Sequence, residues 1–446
     1  MTWVGVDDTD SLTEMCTTYL ATEVIRRAPG DLLGYPRLVR LNPNVPWKTR
    51  GNGALCLRFG RGRGEPSVIG RIAGRDVLSY PRGDPVDPQG VFESVGQTVE
   101  DLAVFDDPST NPGVYVSARP TDPGFYWAAV REIVPLRKAL SLARGGLVRG
   151  WGNRRGVIGA VAATAWRPRD RTYEVIAYRD PGHWGTPRDV DAESVRRLDA
   201  AFPETFNNYD EANHRPIIAP HSPCPILFGI RSDSPDRLIA AMHSVRGELP
   251  ERWLLFETNQ GTDDHVLWRP GGLRPHTTVA VAGVVRAPPR TLPGGHVVFP
   301  LRGRWEIDCT AYEPSKQFRD IVRRLAVGDR VTAVGAVRER PRTLNLEKLR
   351  VIDLAPVREK VANPACPCGR RMKSLGRSAG YRCRACGERA GPEAATYVDT
   401  VRTLAPGWYE PTVTARRHLS KPLKRMGSPR PQGMAVTISI PSGRTK

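Results

Sequence analysis

Thr2-Trp3-Val4-Gly5-Val6-Asp7-Asp8-Thr9-Asp10-Ser11 decides the architecture of the first part of this chain. Thr2 to Val6 is a short apolar run and predicts a buried strand. Asp7, Asp8 and Asp10 follow at its carboxyl end. Ser11 and Glu14 have the Ser-x-x-Glu spacing of a capping box. Met15, Cys16, Tyr19, Leu20 and Val24 then recur at helical spacing. Strand, acidic turn and helix in that order predict an α/β unit, whose ligands sit at the carboxyl edge of the sheet. Three carboxylates this close repel one another unless a cation lies among them, and Mg2+ takes one or two carboxylates together with phosphate oxygens. The competing reading is a solvated turn whose aspartates cap the helix.

Downstream, Lys48-Thr49-Arg50-Gly51-Asn52-Gly53 sets two cations among glycines, a composition suited to cradling phosphate. No G-x-x-x-x-G-K-[ST] run occurs, which excludes a Walker-type loop. Nucleotide chemistry would therefore rest on the carboxylates and a metal.

Residues 60–125 are rich in Gly, Pro and Asp and predict loops and short elements. A helix is expected through Leu136, Leu140 and Leu142. Strands are expected at 157–162, 173–178, 225–230 and 253–256, with a helix at 233–245. That alternation suits a ferredoxin-like α+β layer. From 275 to 355 the order is three strands, a helix carrying Phe318, Ile321, Val322 and Leu325, and two strands, the order of an OB-fold barrel.

Cys366-Pro-Cys368-Gly and Cys383-Arg-Ala-Cys386-Gly follow. The second pair has zinc-knuckle spacing and the separation suits a small ribbon, whereas the first pair is one residue short. Zinc is the expected occupant. A ribbon that keeps its shape without metal and a redox pair are the alternatives. Cys16, Cys56, Cys224 and Cys309 read as buried apolar residues.

Across 446 residues, 66 Lys and Arg oppose 47 Asp and Glu, a net charge of +19. Arginine dominates the cations, which a GC-rich genome alone would produce. The distribution carries more information: residues 360–446 hold 17 Lys and Arg against 4 Asp and Glu. Stability gives no reason to concentrate charge there, and polyanion attraction does. No apolar run approaches the roughly 20 residues that a membrane-spanning helix needs. No basic-then-apolar segment opens the chain, so a cytoplasmic location is expected.

Several long motifs resemble the archaeal 2-agmatinylcytidine synthetase family, which acts on the isoleucine tRNA with a CAU anticodon. They are 5–11 with Met15-Cys16-Thr17-Thr18-Tyr19-Leu20, Arg40-Leu41-Asn42-Pro43-Asn44-Val45-Pro46 with 48–53, and Thr110-Asn111-Pro112-Gly113. Pro223-Cys224-Pro225 with Gly229-Ile230-Arg231, Thr258-Asn259, 313–319 and 415–423 continue the match in order. Residues 60–95 resemble the family poorly, and the family typically has two residues between its first cysteines.

The resemblance implies an α+β multidomain protein. Its parts would be a kinase-like α/β catalytic domain (1–130), a ferredoxin-like domain (131–270), an OB-fold barrel (271–357), a zinc ribbon (358–395) and a basic C-terminal tail (396–446). It implies that ATP phosphorylates the C2 oxygen of the wobble cytidine and that the primary amine of agmatine then displaces phosphate. Asp7, Asp8 and Asp10 would hold Mg2+, and Thr9, Lys48, Arg50, Gly51 and Asn52 would join them around ATP. Thr17 corresponds to the family's autophosphorylated threonine, with Thr18 the second choice. Zn2+ on Cys366, Cys368, Cys383 and Cys386 would be structural. Agmatine is a dication, so its pocket should hold a carboxylate, with Asp210 and Asp263 the candidates. Lys316, Arg319, Arg416, Arg417, His418 and Lys421 are expected on tRNA. No membrane and no obligate protein partner are expected. The rival readings are a non-catalytic tRNA-binding protein and a small-substrate phosphotransferase with an incidental basic tail.

Overall fold

The computed structural model describes residues 1–376 and 378–427. Its first strand, Thr2–Asp7, is buried along its whole length. Gly53–Arg63 and Gly113–Ser117 flank it, both antiparallel. Both faces of this sheet are covered, so the strand is apolar throughout instead of alternating. Val4 and Val6 pack in one core with Leu20, Val24, Val91 and Val95. Trp3 packs in a second core with Phe125, Val157 and Ala160.

The run Val157 to Ala162, expected as a strand, lies in a helix, Gly156–Ala165. Nine of its ten residues are buried, and an element apolar on every side shows no period that separates helix from strand. Its small residues let it rest on the sheet backbone. A Cβ on Gly5 would lie 2.0 Å from the Ala160 carbonyl oxygen, and one on Gly113 would lie 2.0 Å from the Val157 nitrogen.

Residues 60–125 hold longer elements than their composition predicts. The strand Gly53–Arg63 runs into them, and the helix Pro88–Leu102 spans 15 residues. Its Asp87 cap accepts the N–H groups of Gln89 and Gly90, and Asp122 caps the helix Pro123–Arg131 in the same way through Gly124. Proline at the first helical position forfeits no intrahelical bond.

One 13-stranded sheet runs through the first 260 residues. Arg252–Thr258 pairs with Ser67–Ile72 and, in parallel, with Arg37–Arg40. The buried Arg37–Glu257 ion pair, at 2.9 Å, crosses that join. Leu147–Gly150 pairs with Gly113–Ser117, so the N-terminal layer extends beyond residue 130. The expected strands at 173–178, 225–230 and 253–256 are Thr172–Tyr178, Ile226–Ser232 and Arg252–Thr258. The helix expected at 233–245 is shorter, Leu238–Ser244, because 233–237 is taken up by a turn in which the Ser234 hydroxyl bonds to Asp236 at 2.8 Å.

Thr278–Val285, Val297–Gly303, Glu306–Ala311, Arg330–Val337 and Thr343–Asp353 close into a five-stranded barrel around Phe299, Val331 and Leu349. Three short antiparallel strands and the core residues Met372 and Tyr381 form the cysteine-bearing ribbon. The stretch after it, expected as a basic tail, is docked on the rest of the molecule as far as residue 427. Gly407–Tyr409 pairs with the barrel strand Thr343–Asp353, and 411–427 runs back to the large sheet, burying Leu419 and Ser420. Residues 428–446 of that expected tail lie outside the described residues. Among the described residues no helix is long and apolar enough to cross a membrane.

Candidate active site and zinc ribbon

The acidic turn stands where the first strand ends. Asp7 is the last strand residue, and its carboxylate fits only because position 159 is glycine: a Cβ there would lie 1.8 Å from Asp7 Oδ2. Asp8 has φ 59°, and Arg155 Nε donates to its Oδ2 at 2.8 Å. Burial, then the neighbouring Asp8 charge, holds the Asp7 carboxyl well above the usual carboxylate range. Burial likewise pushes Asp8 up to about 6, against the opposing pull of Arg155.

Asp10 turns away from this pair. Its Oδ1 accepts the Thr17 N–H at 2.6 Å and the Thr17 hydroxyl at 3.0 Å, and Thr9 donates to that same hydroxyl oxygen at 3.0 Å. The expected three-carboxylate metal site is therefore divided. Among the described residues the only convergent group of three or more such ligands is the cysteine set. The capping box is corrected as well. Ser11 Oγ accepts the Glu14 N–H at 2.9 Å, but this closes a loop turn; the helix is Thr17–Arg27, capped by Cys16.

The turn is the wall between two cavities. The smaller, about 80 Å3, is lined by Asp7, Asp8, Trp47, Lys48, Asn52 and Arg155. The larger, about 360 Å3, is lined by Asp10, Thr17, Thr18, Arg40, Arg50, Gly51, Glu174, Arg231 and His418. A third space of about 240 Å3, bounded by Arg40, Lys48, Arg50, Arg417 and His418, shares walls with both. Arg50 donates to the Ser11 carbonyl, fastening the 48–53 loop to the acidic turn. Asn52 bends that loop with φ 50° and donates to Asn42 O at 2.8 Å. Among the described residues, Nε of Arg40 and of Arg50 is buried without a hydrogen-bond partner. Burial lowers the Arg40 guanidinium, and burial together with Arg417 lowers Lys48. Clustered cations with too few counter-charges make this passage receptive to phosphate.

The two expected agmatine carboxylates are elsewhere and already engaged. Asp263 takes both its oxygens to Lys348 Nζ, at 2.6 and 2.5 Å, and accepts the Lys421 N–H at 2.7 Å. Asp210 accepts the Thr414 hydroxyl at 2.6 Å and Asn213 at 3.0 Å. Glu174 is the carboxylate in the larger cavity besides Asp10, and it carries Gln260 at 2.5 Å and Arg231 at 3.0 Å.

The expected tRNA contacts divide similarly. Lys316 is exposed near Glu313, and Arg319 donates to the Gly295 carbonyl at 2.7 Å. Arg416 pairs with Glu410 and Asn207, Arg417 with Glu347, and Lys421 with Asp170. These three fasten the terminal segment to the sheet and the barrel. His418 lines the larger cavity. Arg155 and Glu174 have no local motif that marks them, whereas Arg231 closes the Gly229-Ile230-Arg231 motif. Arg40 opens the 40–46 motif and Trp47 lies between it and 48–53, so both were legible there.

In the ribbon the four cysteine ligand atoms lie within 4.8 Å of one another, which fits one tetrahedral Zn2+. The short Cys366-Pro-Cys368 turn is accommodated: Cys366 Sγ approaches Cys386 Sγ at 3.4 Å, and Cys368 approaches Cys383 at 3.6 Å. Backbone N–H groups of Cys386 and Ala385 hold the Cys383 thiol down at about 6, favouring the thiolate that a metal requires.

Family models described as the TiaS TCKD domain, the TiaS FLD domain and the TiaS C-terminal zinc ribbon domain match residues 3–148, 154–265 and 363–403. The isoleucine-tRNA 2-agmatinylcytidine synthetase TiaS of Methanocaldococcus jannaschii is 38% identical over 95% of this chain and 98% of its own. That of Methanosarcina mazei is 39% identical over 95% and 97%. A solved complex of TiaS with its isoleucine tRNA and ATP superposes with TM-score 0.82 at 36% identity, covering 96% of this chain and 98% of that one. A complex of TiaS with the same tRNA, AMPCPP and agmatine gives 0.80 at 34%, with the same coverage.

Proposed function

The chain belongs to the isoleucine-tRNA 2-agmatinylcytidine synthetase family, and on that premise we propose that it uses ATP to conjugate agmatine to C2 of the wobble cytidine of the CAU-anticodon isoleucine tRNA. The observation that carries this reading is the pair of cavities separated by the acidic turn and joined by a cationic passage. The smaller has room for a metal and terminal phosphates, and the larger has room for the reactants.

A pyrimidine C2 oxygen is a poor leaving group, and phosphorylation makes it a good one. Catalysis then rests on positioning and charge neutralisation. The smaller cavity, with its carboxylate pair, takes the metal and phosphate end of ATP, and Trp47 stands at its wall. Asp7 and Asp8 would hold Mg2+, whose bound charge would offset that of the phosphates and restore both carboxylates to their ionised form. Lys48 and Arg50 face the phosphates with Thr9, Gly51 and Asn52 shaping the loop. Thr17 is the phosphoryl acceptor we assign, because Asp10 already holds its hydroxyl; Thr18 lies against Cys16 Sγ at 3.4 Å. The larger cavity receives the flipped cytidine and agmatine. Unstacking that base costs a few kcal/mol, offset by contacts along the anticodon.

On this reading the N-terminal layer is the kinase-like domain, the 172–258 layer is ferredoxin-like and the barrel is an OB fold. The barrel and ribbon grip the tRNA body in the cytoplasm. Lys316 and the exposed face of the ribbon are the tRNA contacts we retain.

The test is intact-nucleoside mass spectrometry of the CAU-anticodon isoleucine tRNA incubated with protein, Mg2+, ATP and agmatine. The wobble cytidine should gain the mass of agmatine less water, only with ATP present. Bound but unmodified tRNA would overturn the reading.

A further inference from the structure

We propose that His418 is the base that takes a proton from the ammonium group of agmatine as its nitrogen is brought to the activated cytidine. This rests on the reading that both reactants meet in the larger cavity.

His418 stands on the wall common to the larger cavity and the cationic passage. Its place is fixed from behind. Its carbonyl accepts the Gly261 N–H at 2.7 Å, and the next carbonyl, of Leu419, accepts that of Asp263 at 2.8 Å. In front, Gly51 leaves room for the ring: a Cβ there would lie 3.1 Å from Nε2. Among the described residues no group hydrogen-bonds the imidazole.

The other proton acceptors of this cavity are engaged. Asp10 holds Thr17, and Glu174 holds Gln260 and Arg231. The Cys16 thiol is pushed up to about 12, chiefly by burial. His221 meets the Arg215 guanidinium at 2.9 Å. Arginine does not deprotonate in proteins.

The charged groups sharing these walls with His418 are Arg40, Lys48, Arg50, Arg215, Arg231, Arg417, Glu174 and Asp10, with His221 a further titratable one. Arg40 first, then desolvation and Arg231, hold the imidazole well below the usual histidine range. The residue is exposed on the cavity side, so the guanidinium charges carry more of this effect than burial does. The ring is thus neutral in the free protein. A phosphate on Arg40 and Arg231 cancels the largest opposing charge, so proton affinity rises when the phosphorylated cytidine is in place. The same cations disfavour the ammonium form of the incoming amine.

In the step itself an imidazole nitrogen takes one ammonium proton, and the freed electron pair forms the N–C2 bond. The C2–O bond breaks with its pair on the departing phosphate. A second N–H proton ends on that phosphate, giving hydrogen phosphate, and the imidazolium returns its proton to water.

The test compares agmatine with an aminooxy analogue whose nucleophilic nitrogen is neutral at assay pH, in single turnovers on the isoleucine tRNA. His418→Gln should slow the agmatine reaction on the order of 100-fold and the aminooxy reaction less than about fivefold. Cytidine phosphorylation from labelled ATP should persist. Imidazole added to His418→Gly should restore the agmatine rate. Equal losses with both nucleophiles would make His418 a positioning residue and overturn the proposal, as would no loss with either. If the unsubstituted protein phosphorylates tRNA but adds neither nucleophile, the parent reading fails first.

Discussion

Asp8 shows how much a single side chain here depends on its surroundings. Folding raises its carboxyl to about 6 from an ordinary value of 3.8. Between those pH values the folded state binds more protons than the unfolded state, so this group's contribution to stability declines as pH rises. On the proposed reading ionised Asp8 would receive Mg2+ with ATP. Because Asp7 is also held well above the usual carboxylate range, the kcat/KM for ATP should climb at least about tenfold per pH unit below about 6. Asp8→Asn should abolish ATP cleavage and leave tRNA affinity within about twofold, since only a neutral isostere is introduced far from the tRNA grip. A large loss of tRNA binding, read by filter retention, would contradict the metal assignment. At this scale the sequence was a good guide for residues inside compact motifs: Asp7, Asp8, Asp10, Thr17, Lys48 and Arg50 all line the two cavities. It was silent on the partners of Asp210 and Asp263, because the charge of a lone aspartate says nothing about Lys348 or Thr414 arriving from elsewhere to neutralise or bind it.

Among the elements, the helix Gly156–Ala165 does most to shape the site. It lies on the first strand with backbone nearly touching backbone and carries Gly159 to Asp7. Gly159→Ala should force the helix off the sheet or displace the Asp7 carboxylate. The expected loss is about 2 kcal/mol in chemical denaturation together with loss of ATP cleavage. Normal stability and turnover would show that the contact relaxes freely. This helix was hidden in the sequence because burial on all sides erases the 3.6-residue period. The helices Pro88–Leu102 and Pro123–Arg131 were not hidden in that way. Asp87-Pro88 and Asp122-Pro123 are start signals, a capping carboxylate before a first-turn proline, obscured by a Gly- and Pro-rich average. The barrel strands, by contrast, were legible in number and order, since a run such as Thr278–Val285 has β-branched residues and a clear boundary.

For the whole molecule, the terminal segment is the chief surprise. The sequence places a basic tail here, yet 411–427 crosses from the barrel to the large sheet and places His418 on the wall of the larger cavity. The join is polar: Glu347 meets His265 at 2.9 Å and Arg417 at 3.1 Å, and Lys348 meets Asp263. Removing everything after residue 360 would thus destroy the site along with the tRNA grip. Excision of the ribbon alone separates the two. Ala362 and Thr396 are paired in register, so residues 363–395 can be replaced by a short linker. That protein should keep nucleotide binding, bind tRNA at least about tenfold more weakly, and show a shallower dependence of affinity on salt, because phosphate contacts are lost. Unchanged affinity across several salt concentrations would remove the ribbon from the tRNA interface.

The sequence by itself determined the chemistry available: which short motifs bring carboxylates, cations, threonines and thiols together, and where barrel and ribbon begin. Those are local matters, governed by spacing along a strand, a turn or a pair of knuckles. Tertiary structure alone decided that the acidic turn would split into two faces, that the first two layers would share one sheet, and that a basic arm would supply a cavity wall. Each of those outcomes depends on contacts between residues far apart in the chain, Gly159 with Asp7, Glu257 with Arg37, Gly261 with His418. No local period or composition records such contacts, because their energy arises only when the separate elements are packed.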